Sequence, residues 1–346
     1  MANSHYVPQL ILRHFCANNS ITYCDIQKRK VETRNTRSVF TEKGYYPDEL
    51  EKSLCEKIEV QFADLLNKKI LNSRIELILT ADELLTLKKF LLITIFRFKI
   101  MEPNELELYT YFNKEEIEDF KGDFFENLNK ILECRTKEEM FQYTDFKNES
   151  SNLTLNAYIR DVLYSYIVFV SSKRCEEDFV IPDKGYASFE GSATIKKLNA
   201  ILELAKKTND PLLFQIASMS TPHDYLVFPL TSNVAVLTMS PFYKLCLKNS
   251  PYNIKCPTET PTLSKTPGFG NREIIEAPKL KAKSENENEY TYEIKQLKVE
   301  DVTFLNSLLL TNVDHCFACA DISRIQETVN RVNENMDLSF LKCIDK

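Results

Sequence analysis

Residues Thr80–Ile100, TADELLTLKKFLLITIFRFKI, decide how this chain folds. Thr80 followed three residues later by Glu83 is capping-box spacing, in which each side chain satisfies a backbone N–H of the other. A helix therefore starts here. Its second half is apolar on every side, which predicts a buried central helix. Its most apolar part, FLLITIF at Phe90–Phe96, is far shorter than the roughly twenty residues a bilayer span needs. No membrane-crossing segment and no membrane partner are expected. Just upstream, PDELEKSLCEKIEVQFADLLNKKIL sets Leu50, Leu54, Ile58, Phe62 and Leu65 on one stripe, an amphipathic helix.

Further helices are expected near Glu105–Phe112, Lys114–Glu133 and Leu153–Ser172. Towards the N-terminus, SITYCDIQKRKVETRNTRSVF alternates β-branched and polar residues and reads as a strand pair. The second half of the chain changes character. EDFVIPDKGYASFEG reads as a strand entering a tight turn, ATIKKLNAILELAKK as a helix, and LLFQIAS, DYLVFPLT and AVLTMS as strands. Residues 249–289 hold five of the thirteen prolines and a polar tract, an irregular excursion. A helix from Val302 to about Val313, a short strand CFACA and a helix SRIQETVNRVNEN close the chain. The expected architecture is α+β in one integrated domain over residues 1–346. A helix-rich N-terminal half (about 48–173) packs with a β-containing C-terminal half (about 176–320).

Composition bounds the function. Hydrophobic residues at 43% suffice for a core, and charged residues at 27% mark an ordinary globular chain. Six glycines are too few to favour a Gly-rich dinucleotide loop, and TPGFGNRE lacks the Lys-Ser/Thr of a phosphate loop. A net charge of −6 gives no global attraction to nucleic acid. The ten cysteines are scattered, and MANSHYVPQ lacks the charged and apolar regions of a secretory leader. Reduced thiols in the cytoplasm are expected.

The N-terminal stretch HYVPQLILRHF carries His5, Gln9 and Arg13 at intervals of four. Pro8 fits the first turn of a helix, so Gln9 and Arg13 share a helical face and His5 precedes it in extended backbone. Together with EDFVIPDKGY and FPLTSNVAVLTM, this segment resembles the bacterial family 4238 of domains of unknown function. Members of that family open on His-x-Val-Pro-Gln…Leu-Arg-x-Phe. The resemblance spans nearly the whole chain and implies one domain. It maps the family pattern onto His5, Gln9, Arg13, Tyr46, Glu59, Arg97, Asp183 and Asn306. Where the family favours Ser-Asp-Asn-Pro, this chain has Pro182, Asp183, Lys184 and Gly185, and only the Asp matches.

Each candidate has a chemical and a structural reading. His5 is a general acid/base or metal ligand, or else a hydrogen-bonded anchor of the N-terminus. Glu59 borders an apolar face with Cys55, Phe62 and Leu66. It is either a site carboxylate or an edge side chain reaching water. Arg97 sits among Phe90–Ile100 and needs an anion: a structural carboxylate such as Glu59 or Asp183, or a substrate. Asp183 follows FVI at a turn with Gly185, as turn chemistry or as a base at a strand end. Glu190 and Lys196 downstream do not complete the Glu-x-Lys element of metal-dependent nucleases. Cys316 and Cys319 beside His315 lack two further zinc ligands and point to opposite faces of a strand, so they read as buried thiols.

Lys28, Arg29, Lys30, Arg34 and Arg37 form a basic arm, either solvated or contacting phosphates of a nucleic acid. Two functions follow. In one, the chain hydrolyses a nucleic acid or another phosphate ester in a defence or toxin setting. His5 is then the acid/base, Glu59 and Asp183 hold a divalent metal or activate water, and Gln9, Arg13 and Arg97 position an anion. In the other, the same polar set is a buried structural network in a non-catalytic binding or regulatory module.

Overall fold

The computed structural model describes residues 3–17, 20–43, 48–99, 128–143, 158–159, 161–163, 165–189, 192–210, 225–239, 279–284, 287–333 and 336–341. In chain order its first strands are β1 (Asn3–His5), β2 (Ile21–Asp25), β3 (Lys30–Arg34), β4 (Thr41–Lys43), β5 (Glu76–Thr80), β6 (Tyr166–Ser171) and β7 (Ile181–Pro182). There follow β8 (Ala187–Phe189), β9 (Tyr225–Pro229), β10 (Val234–Met239), β11 (Lys279–Ser284), β12 (Glu287–Gln296) and β13 (Cys316–Cys319). Helices and sheets together make this an α+β fold. The chain gathers into two compact units. One comprises Met1–Leu12, Arg37–Leu163 and Pro278–Tyr292, the other Arg13–Thr36, Tyr164–Ala277 and Glu293–Lys346.

In the first unit, β1 pairs antiparallel with β4, His5 opposite Thr41. Helix α1 (Gln9–Leu12) begins directly after Pro8, where a proline ring suits the first turn. The predicted amphipathic helix is one helical run from α2 (Asp48–Leu54) through α3 (Val60–Leu65), with wide π turns at Cys55–Glu59 and Leu66–Ile70. Its apolar residues step by four, and an α turn holds about 3.6. The extra residue of each π turn absorbs that mismatch and keeps Leu54, Ile58, Phe62, Leu66 and Ile70 buried.

Helix α4 (Ala81–Lys99) starts on the predicted capping box: Thr80 N–H donates to Glu83 Oε2 at 2.8 Å and Glu83 N–H to Thr80 Oγ1 at 3.3 Å. Its buried side chains from Leu84 to Ile95 form the core of this unit, with Phe90 stacked on Phe62 at 3.7 Å between ring centroids. Two lysines lie inside that core. The Lys89 ammonium donates to the carbonyls of Leu132 and Cys134 at 2.8 and 2.7 Å, so a terminal turn of backbone receives the charge. Lys88 is buried beside Lys137, and loss of hydration brings its ammonium down to about 7. Strand β5 pairs with β12, which forms a hairpin with β11.

The second unit holds two sheets. One has the order β3-β2-β13-β7, antiparallel throughout. In the other, the end of β12 runs parallel to β6, and β6, β10, β9 and β8 follow antiparallel. The helix Val299–Thr311 packs against β8 and β7.

Two local expectations differ from what forms. The helix expected over Leu153–Ser172 gives way at Tyr166–Ser171 to β6, a β-branched and aromatic run with Ile167–Val170 all buried between two neighbours. The irregular excursion ends in strand β11 (Lys279–Ser284). Residues 249–278, the LLFQIAS strand, the helix near Glu105–Phe112 and most of that at Lys114–Glu133 lie outside the described residues.

Candidate functional site

The singled-out residues fall into both units. In the first, β1 ends at His5 and α1 opens at Gln9, so the Pro8 turn folds one side chain back on the other. Gln9 Nε2 lies 2.8 Å from His5 Nε2, and both are half-buried. With the amide donating, the neutral ring carries its proton on Nδ1. The bond orients the imidazole and sets its tautomer. Glu59 belongs to the same unit, half-exposed at the end of the π turn Cys55–Glu59. Arg97 lies in α4, its side chain outside the described residues, as is all of Tyr46. Arg13 is exposed in the 3-10 turn Arg13–Phe15 of the second unit.

Asp183 has a different setting. The turn Pro182–Gly185 is closed by the Gly185 N–H donating to Pro182 O at 2.9 Å, with Gly185 at φ 74°, a left-handed geometry that suits glycine. Asp183 stands inside that turn, 3% exposed. Its Oδ1 accepts from Asp314 N–H at 3.1 Å. Its Oδ2 accepts from His315 and Cys316 N–H at 2.8 and 3.1 Å. Burial pushes the carboxyl up, and the three amides pull against that rise. Asp183 thus fastens the start of β13 to the end of β7. Lys184 pairs with Asp314 at 2.8 Å across the same junction.

Asn306 is a second hub, fully buried on the helix Val299–Thr311. Its Oδ1 accepts from Val180 N–H at 3.1 Å, and its Nδ2 donates to Asp178 O at 2.7 Å and Thr328 Oγ1 at 3.0 Å. Around it lie residues not singled out as candidates, although Glu177, Asp178 and Asn233 stand within EDFVIPDKGY and FPLTSNVAVLTM. The Asp178 carboxylate accepts from Asn233 Nδ2 at 3.0 Å and Arg324 Nη2 at 3.2 Å. Arg324 also donates to Cys175 O at 2.9 Å. Glu177 accepts from Thr328 and Glu327 N–H at 2.8 and 3.3 Å, at the start of the helix Gln326–Val332. Burial raises both carboxyls. In sequence Glu176-Glu177-Asp178 looks like a solvated acidic run. Its one signal is the apolar FVI that follows and carries it inward.

The two cysteines of the CFAC strand do point apart. Cys316 lies beside Tyr23 and Asp183, and burial lifts its thiol to about 12. Cys319 is buried against Cys24, which raises it well above the usual range. Among the described residues no group of three or more His, Cys, Asp or Glu is placed to hold a metal ion. Of the basic arm, Lys28, Arg29, Lys30 and Arg34 lie on the β2–β3 hairpin, each beside a carboxylate, and Arg37 lies in the 3-10 turn Thr36–Ser38. Lys28 pairs with Asp25 at 2.8 Å, Arg29 with Asp337, and Lys30 and Arg34 both with Glu32. Arg34 also stacks 3.7 Å over the Tyr23 ring.

No described helix is long and apolar enough to cross a membrane. Comparison with known proteins finds no curated protein and no solved structure that matches. A family model described as "Protein of unknown function (DUF4238)" matches residues 3–315, a span that includes the N-terminal motif, Asp183 and Asn306. The chain belongs to that family.

Proposed function

We propose that this chain is a non-catalytic binding or regulatory module of the bacterial cytoplasm, whose singled-out polar residues hold the fold. The observation that carries this reading is the Asp183 carboxylate. Three backbone amides occupy it at 2.8–3.1 Å, and a carboxylate so engaged has little capacity left for a metal ion or a water molecule. Asn306 supports it in the same way, with three bonds to buried partners. The seven described cysteines are free thiols, which suits the cytoplasm. Four cations of the basic arm share three carboxylates, which reduces the charge the hairpin offers a nucleic acid.

The test pairs a stability measurement with an activity assay on the full chain. Asp183→Ala should melt well below wild type, and the wild type should leave single-stranded DNA, RNA and a chromogenic phosphodiester uncut with Mg²⁺ or Mn²⁺. Metal-dependent cleavage by the wild type that Asp183→Asn abolishes without changing the melting temperature would overturn the reading.

A second reading keeps the chain as a phosphate-ester hydrolase in a defence or toxin setting. His5 serves as acid/base, Glu59 assists with a divalent cation, and Arg97 receives the anion. The His5–Gln9 bond favours it, because an acid/base histidine needs a fixed ring and a defined tautomer. Its test is expression in a bacterial host: His5→Ala should relieve growth inhibition by the wild-type chain while leaving the melting temperature in place.

A further inference from the structure

We infer that the outer edge of β3 is a docking strand for an extended peptide whose charges alternate acidic, basic, acidic. The docking edge rests on the module reading and gives that module a partner chemistry. β3 stands at the end of the order β3-β2-β13-β7. Ile26 N–H donates to His315 O at 2.9 Å, towards β13. In a strand, the N–H and C=O of one residue point to the same side, and the sides alternate along the chain. Cys24 therefore also faces β13, whereas Tyr23 and Asp25 face β3. Their partners Glu32 and Lys30 turn their backbone groups back to β2, which leaves those of Val31 and Thr33 pointing outward. Among the described residues these outward groups have no hydrogen-bond partner.

The side chains decide the occupant. Lys30, Glu32 and Arg34 share the face of β3 that is continuous with Tyr23 and Asp25 on β2. All three reach solvent, and Glu32 pairs with both cations. A second copy of the chain fits badly. Antiparallel pairing that joins Val31 to Thr33 about a two-fold axis sets Glu32 against Glu32 and Lys30 against Arg34, like charges throughout. An antiparallel guest of the order Glu-Thr-Lys-Val-Glu instead sets a carboxylate against Arg34, an ammonium against Glu32 and a carboxylate against Lys30. Those are the non-hydrogen-bonded positions, where side chains approach most closely. The guest's Thr and Val exchange backbone bonds with Thr33 and Val31, the mode in which an extended peptide joins a sheet edge. The charges that bar self-association thus select the guest.

The experiment is fluorescence anisotropy of a fluorescein-labelled Ser-Glu-Thr-Lys-Val-Glu-Ser peptide titrated with the full chain at low salt. Binding should saturate and be about tenfold tighter than for the sign-reversed Ser-Lys-Thr-Glu-Val-Lys-Ser. The variant K30E/E32K/R34E should reverse that preference. Thr33→Pro removes an outward N–H at a place where an edge strand accepts proline, and should abolish binding in a chain that still melts as a folded protein. Methylating the backbone nitrogens of the peptide's Thr and Val removes the same ladder from the other side. That peptide should fail to bind wild type, a test that depends on no variant folding. No saturable binding, equal affinity for the two charge orders, or binding that survives methylation would each overturn the docking edge. Absence of binding together with absence of nucleic-acid cleavage overturns the docking edge alone, whereas metal-dependent cleavage that Asp183→Asn abolishes overturns the module reading.

Discussion

Asp183 and Glu59 are two carboxylates that the sequence places side by side as candidate chemistry, and they end in opposite surroundings. Asp183 is buried with three amide donors, whereas Glu59 stands half-exposed at the end of a π turn. What separates them is the supply of backbone N–H groups. At Asp183 the end of β7 meets the chain entering β13, and the N–H groups of Asp314, His315 and Cys316 turn to the carboxylate. At Glu59 the helical backbone is satisfied by its own turns. A buried carboxylate that meets amides from another segment becomes a fastener, whereas one at the end of a helical turn is not drawn into such a junction.

Removing the fastener is the largest test of this contrast. Asp183→Ala takes the acceptor from three N–H groups, that of Cys316 buried and those of Asp314 and His315 part-buried, and a buried donor left unpaired costs roughly 1–3 kcal/mol. A loss of about 3 kcal/mol or more is expected in a denaturant titration, and a loss under about 1 kcal/mol would break the comparison. Asn306→Asp should be nearly as damaging at neutral pH, because a carboxylate oxygen then faces the Asp178 carbonyl that Nδ2 serves in the wild type. A protonated carboxyl could donate to that carbonyl. The folded state therefore holds the new group's proton more tightly than the unfolded state does. The stability of this variant should recover as pH falls towards 4 and disappear as pH rises.

The buried acids of the wild type sharpen the contrast on a smaller scale. Glu177, Asp178 and Asp183 all have raised carboxyls in the folded state, with burial the leading cause. The folded protein then binds more protons than the unfolded chain above the ordinary carboxylate range. Their contribution is fully present below the unfolded pKa and is lost as pH rises through the folded one. Asp337 has the opposite sign. Ser339 and Arg29 bring it down to about 2, so its contribution holds above its unfolded value and is lost in acid. Melting temperatures from pH 4 to 7 should fall less steeply for Glu177→Gln than for wild type. Identical slopes would mean that Glu177 ionises as freely folded as unfolded.

How much of this was legible beforehand follows from what each feature rests on. The α4 cap, the buried central helix, the strand pair at residues 21–34 and the closing helix–strand–helix rest on local chemistry within a few residues, and sequence carries that. The resemblance marked Asp183 and Asn306 but not their tasks. Those tasks depend on partners 131 and 128 residues away: Asp314 for Asp183, and Asp178 for Asn306. Arg324 left no motif, and Asn233 stands unremarked within FPLTSNVAVLTM, because a structural cation or amide is recognisable only once the carbonyls around it are placed. Tyr166–Ser171 was misread as the end of a helix because a short apolar run carries no period of its own, and its neighbours β10 and β12 make it a strand.

The smallest expected effect lies at the other pole of the comparison. Glu59→Gln should change stability by no more than about 0.5 kcal/mol, as isosteric substitutions at part-exposed positions usually do. Gln9→Ala should cost about 1 kcal/mol, the worth of one hydrogen bond between half-buried partners. Its clearer readout is the His5 ring. Nitrogen-detected NMR should find the wild-type imidazole with its proton on Nδ1 and the variant redistributed towards Nε2, because nothing then donates to Nε2 from position 9. A tautomer unchanged in Gln9→Ala would mean that another contact orients His5. Little stability depends on this pair, so a strong effect of either residue on growth inhibition would have to come from chemistry. That combination would favour the hydrolase reading over the module.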